Sequence, residues 1–192
     1  RRRVRVGDMV VMLAPTLNLA GGHMAGKTMD DRACVASMLV AAEQLSRTRT
    51  SAQTWFVSTS QEEIGSKGAR AAAYRLEPDF AIAIDVTQGT TPGARKFETY
   101  PLDKPTIAHG PNIHPLLEKI ARETAKENGV AYSLEVCPGV TATDAEETQI
   151  ARGGVPTLLL SVPLKYMHTT VELLKVDAVR QTGRLIALVI ER

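Results

Sequence analysis

Cysteine and aromatic residues are scarce in this chain, and neither sign of charge dominates. Of 192 residues two are cysteine and one is tryptophan, and aromatics make up 4%. So few rings leave no platform for stacking the bases of single-stranded nucleic acid. Twenty-three basic residues against twenty-one acidic give a net charge of +2, too small a field to steer a polyanion. Arg1-Arg2-Arg3 is the one locally basic cluster, read as a solvated strand start. No apolar run approaches the ~20 residues that cross a bilayer, and none of signal-peptide kind opens the chain. Cys34 and Cys137 lack metal-type spacing, and Cys34 falls in an apolar helical pattern, so a reduced buried thiol there and a cytoplasmic location are expected.

What is present is a 44% hydrophobic chain long enough for one cored domain. It begins without methionine, within a β-like stretch, which suggests part of a longer polypeptide. Residues 1–22 read as β-like, with the apolar run Val10–Leu13. Spacing of Cys34, Met38, Ala41, Ala42 and Leu45 predicts a helix. Thr54–Thr59 reads as a strand, Gly65 to about Arg75 as a helix, and Phe80–Ile84 as a strand buried on both faces. A Thr/Gly/Pro-rich loop follows to about Pro105. A helix from His114 to about Asn128, a strand at Tyr132–Val136, and a helix capped by Thr143 or Thr141 to about Arg152 come next. Pro156–Val162 is the second continuous apolar strand, and Asp177 is placed to cap the last helix. Alternating strands and helices predict an α/β fold with a largely parallel, covered sheet.

Against this background five acids and a histidine stand out. Adjacent carboxylates at Glu62-Glu63 point different ways, so one suits a cation while its neighbour can carry a proton. The competing reading is a solvated helix start favoured by the macrodipole. Asp30-Asp31 offers one helix cap, which leaves the second acid unexplained. Asp85 closes the run Phe80–Ile84 with no basic residue nearby, and a buried charge there needs a partner. His168, after Tyr166-Met167, is a neutral imidazole of the kind zinc prefers, although a lone histidine is more often a hydrogen-bonded structural one. His23, His109 and His114 fall in loop-like segments without ligand pairing.

The order of these pieces is more specific than any one of them. Gly7–Val11, Gly26–Arg32 with Asp30-Asp31, Gln61–Ala69 with Glu62-Glu63, Thr143-Asp144-Ala145, and Pro163–His168 together resemble the tetrahedral (TET) aminopeptidases. That family takes in glutamyl and deblocking aminopeptidases and proteins once labelled endoglucanases. The resemblance runs over nearly the whole chain. It implies a three-layer α/β/α zinc-aminopeptidase-like fold with a mostly parallel, mixed sheet. Residues 1–22 would be the end of an inserted β-rich domain and 23–192 the catalytic metallopeptidase domain.

The same resemblance implies two divalent cations per subunit, zinc foremost, with cobalt or manganese as alternatives. Asp30 would bridge them, Glu63 and His168 would complete one site, and Asp85 would serve the other. Glu62 would be the general acid/base, and Asp31 would orient its neighbours, joined to Asp30 by a cis peptide. Peptides would be the substrates and a homododecamer the assembly, with neither nucleic acid nor membrane as partner. The family's second site also takes a histidine from ahead of the insert, which no residue here matches. A second expectation follows: an inactive or assembly-only remnant acting as scaffold or binding protein. A glycan hydrolase fits poorly, since its carboxyls face each other across a cleft rather than adjoining in sequence.

Overall fold

A computed structural model describes residues 3–95 and 98–192. Arg1 and Arg2 of the basic cluster lie outside them, and Arg3 is exposed. In chain order the elements are β1 (Leu17–Leu19), β2 (His23–Gly26), α1 (Met29–Leu45), α2 (Lys67–Leu76), β3 (Ala81–Gln88) and β4 (Thr106–His109). After these come α3 (Pro115–Glu127), β5 (Ser133–Val136), α4 (Asp144–Gln149), β6 (Thr157–Lys165), β7 (Glu172–Lys175) and α5 (Val176–Glu191).

One mixed sheet holds all seven strands, in the order β1-β2-β7-β6-β4-β5 with β3 also on β6. The centre is β6, buried from Thr157 to Leu164. Its unbroken apolar run does not alternate because helices cover both faces of the sheet around it. β3 lies parallel to β6 along its whole length, with Asp85 opposite Ser161. Among the named strands the other parallel ladder is β4 with β5. The flank is antiparallel: β6 to β4 and β7, β7 to β2, and β2 to β1.

Small residues set how closely α1 and α5 approach. Ala33, Cys34, Ser37 and Ala41 recur on the buried side of α1. Gly183 of α5 faces them so closely that a Cβ there would lie 2.5 Å from the Ser37 carbonyl oxygen. Ser37 Oγ adds a hydrogen bond to the Val179 carbonyl at 3.0 Å. The main core beneath includes Leu158, Leu160, Ile107, Leu185 and Ile186, all 2% exposed or less. Burying such a side chain fully stabilises the fold by about 1.5–3 kcal/mol.

Several predicted elements shift. Val10–Leu13 and Thr54–Thr59 form no strand, and Trp55, Phe56 and Val57 are exposed. Residues of strand type need a hydrogen-bonded neighbour, and among the described residues no strand pairs with either segment. The short strands β2, β4 and β7 carry too few residues to show a period. Asp177 does not cap α5; that position is Lys175, and Asp177 sits inside the first turn, where the helix dipole favours an acid. The helix expected from Gly65 starts at Lys67, because Glu62–Ile64 make a 3-10 turn that Gly65 closes at φ 108°. α4 ends at Gln149, short of Arg152.

Candidate metal centre

The head of α1 carries the first acids. Asp30 and Asp31 lie outside helical geometry and are joined by a cis peptide, as the resemblance implies. Asp31 Oδ1 accepts the Cys34 N–H at 3.1 Å, so the capping role expected for one acid of the pair falls to Asp31. Asp30 is left to face the turn that follows β6. In that turn Tyr166 and His168 adopt left-handed backbone, at φ 60° and 63°. His168 Nε2 there comes 3.0 Å from Asp30 Oδ2 and 3.4 Å from Glu63 Oε2.

Glu62 and Glu63 ride the 3-10 turn ahead of α2. Its position is set by Gly68, whose N–H bonds the Ser60 carbonyl at 3.0 Å. A Cβ on Gly68 would lie 2.4 Å from Ser60 backbone atoms, so only glycine allows this approach. Glu63 points outward to the His168 ring, while Glu62 is half-buried.

Asp30, Glu63 and His168 therefore each present one donor atom, all within 4.8 Å of one another. Donors about 2 Å from a shared zinc-type cation stand roughly 3–4 Å apart, and two oxygens with one imidazole nitrogen form a donor set such cations accept. The residues present fit a divalent cation.

Asp85 is not part of that three-residue group. It is also not the last residue of its strand: β3 runs on to Gln88, held by its ladder with β6. Only 8% exposed, Asp85 accepts the Val86 N–H at 2.7 Å, and its backbone carbonyl accepts the Cys34 thiol at 3.0 Å. Burial first, then the Asp31 charge, pushes its carboxyl up to about 9. Asp31 is pushed up to about 8, again chiefly by burial. Asp30 and Glu62 are raised by burial and by neighbouring acids, Glu63 for the first and Asp144 for the second. Acids crowded this way resist ionising together unless positive charge joins them.

Two acids near the site carried no role in the sequence reading. Glu172, at the start of β7, is 2% exposed and bonds the backbone beside both Asp30 and His168. Its signal was a charged residue set in the apolar stretch Val171–Leu174, four positions past His168. Asp144, at the head of α4, accepts the Thr59 hydroxyl with Oδ2, and its buried Oδ1 has no hydrogen-bond partner among the described residues. The remaining histidines stay outside the cluster. His23 and His109 lie in strands rather than loops, bonded to the Ala20 carbonyl and to Glu118, and His114 precedes α3.

Comparison with known proteins identifies the family that this sheet and its cluster of acids and histidine belong to. Residues 1–185 match the M42 glutamyl aminopeptidase family, and the chain belongs to it. It is 37% identical to the lysyl aminopeptidase of Pyrococcus furiosus over 188 residues, 97% of this chain and 54% of that protein. Aminopeptidase APDkam598 of the archaeon Desulfurococcus kamchatkensis superposes with a TM-score of 0.89 at 32% identity, over 98% of this chain and 54% of that one. The TET1 peptidase of Pyrococcus horikoshii, which can assemble into a tetrahedron or a large octahedral shell, superposes at 0.77 with 28% identity, over 94% and 53%. The chain thus spans about half the length of the relatives it matches. Among the described residues no helix is long and apolar enough to cross a membrane.

Proposed function

We propose that the chain is the metal-holding portion of an aminopeptidase that removes residues from the N-terminus of peptides. The observation that carries this reading is the convergence of Asp30, Glu63 and His168 in a chain of the M42 family. Asp30, Glu63 and His168 would hold one divalent cation, and Asp30 with Asp85 would contribute to a second, zinc before cobalt or manganese. Such cations lower the pKa of water and polarise a carbonyl.

The chain's own residues supply the remaining functions. Glu62, whose carboxyl is raised above the ordinary glutamate range by burial and then by the Asp144 charge, is suited to take a proton from water and deliver it to the leaving amine. Asp31 ties the head of α1 to the start of its helix through Cys34 and keeps Asp30 turned to the site. Ser66 and Gly65 N–H groups, both bonded to the Glu62 carbonyl at 3.0 Å, fix the turn on which the proton carrier sits.

The same proposal covers residues 1–22 as the end of an inserted domain, 23–192 as catalytic, and a homo-oligomer, a dodecamer by resemblance to TET proteins. A cytoplasmic location fits two free buried cysteines. The test is metal analysis of the native full-length protein together with a panel of aminoacyl-anilides. Two divalent ions per subunit with cleavage are expected; a single ion without cleavage returns the assembly-only reading.

A further inference from the structure

Glu172 stands apart from the other acids of the site. It does not offer a donor to the Asp30–Glu63–His168 group, yet it is buried more deeply than any of them. Oε2 accepts the Met29 N–H at 2.6 Å and the Asp30 N–H at 3.2 Å. Oε1 accepts the His168 N–H at 2.9 Å. All three donors are main-chain amides of the two segments that carry Asp30 and His168, or of the residue just before Asp30. Those segments lie far apart in sequence and share no strand pairing at these residues.

Glu172 is itself fixed. It pairs with Gly26 in the β7–β2 ladder, and that ladder ends three residues before Met29. Both oxygens of this buried side chain are engaged, and each donor belongs to a ligand-bearing segment of the proposed site.

From this we infer that Glu172 is a positioning residue: its carboxylate clamps the Asp30 and His168 backbones together and so sets the separation of their donor atoms for a divalent cation. The inference rests on the metal reading above. Groups that orient ligands in this way change metal affinity by about 10- to 100-fold when lost.

Cobalt(II) titration of the metal-free, native full-length protein tests it, read by the visible absorption of bound cobalt and by the dissociation constant. Glu172→Gln keeps the size but turns one acceptor into a donor facing an amide. It is expected to weaken cobalt binding about 10- to 100-fold and to change the absorption bands. Glu118→Gln, a buried carboxylate on α3 bonded to His109 and Arg122, is expected to leave both unchanged. Asp30→Ala separates the two readings. If it retains normal cobalt binding, the metal site and the Glu172 role both fall. If it loses cobalt while Glu172→Gln keeps normal affinity and bands, the Glu172 role alone is overturned. An effect of Glu172→Gln no larger than that of Glu118→Gln overturns it as well. Should Glu172→Gln fail to fold, Glu172→Asp, which keeps the charge and shortens the reach, is read by the same criteria.

Discussion

The two sides of the candidate centre are built differently. The Asp30–His168 side is held by bonds between residues some 140 positions apart, gathered on the buried Glu172. The Glu62–Glu63 side is held by local bonds: Gly65 and Ser66 to the Glu62 carbonyl, and Gly68 to Ser60. Its long-range side-chain ties include Thr59 to Asp144 and Glu63 to His168. The Asp30–His168 spacing depends on tertiary assembly, whereas Glu62, the proton carrier of the proposed reading, shares with Glu63 a turn that nearby glycines shape.

The comparison breaks most sharply at Glu62. Glu62→Gln is expected to lower kcat by about 10²–10⁴-fold with KM and metal content unchanged, checked by anilide kinetics and elemental analysis. Metal loss in that variant would mean that Glu62 belongs to the clamped side. Next in size is the effect of removing metal. Asp31 and Asp85 stand raised to about 8 and 9 against an ordinary 3.8. The fold therefore binds protons that the unfolded chain releases. Their contribution to stability is complete below pH ~4 and is lost as pH rises through about 8 and 9. Chelated protein should melt several degrees lower at pH 9 than at pH 5, and metal-loaded protein should show a flatter profile, both read by calorimetry.

Smaller effects separate the sides further. Gly183→Ala forces a Cβ against the Ser37 carbonyl and should destabilise the protein by about 1–3 kcal/mol in urea unfolding, since α1 has to shift. Thr59→Val removes the hydroxyl that bonds Asp144 and should cost about 1 kcal/mol by the same measurement. Cobalt affinity should fall with Gly183→Ala, which moves the Asp30 helix, and hold with Thr59→Val.

Much of this was legible in the residues. The apolar runs at Phe80–Ile84 and Pro156–Val162 mark strands that pair with each other in parallel, but only the second is buried throughout, since Ala81–Ile84 are half-buried and Phe80 is exposed. Thr143 caps its helix as predicted, accepting the Ala145 N–H. The α/β class follows from that alternation. The family followed from the order of acid pairs and the Tyr-Met-His, not from any single motif. The antiparallel flank was hidden, because β2, β4 and β7 have four residues each, too few for a period to show. Trp55–Val57 misled because composition reports what a strand would accept, and pairing depends on a neighbour. Glu172 was missed because its bonds go to main-chain amides, which leave no side-chain pattern along the sequence.

Glu172 and His168 also govern timing during synthesis. Asp30 leaves the ribosome well over a hundred residues before either of them, and the clamp closes across 142 positions. Until β6 and β7 have emerged, the acids of α1 and β3 wait without the imidazole or the amide-binding carboxylate that organises them. The Asp30–Glu63–His168 cluster thus cannot take shape before β6 and β7 have been synthesised, and a stop in translation ahead of them would leave crowded acids without their imidazole.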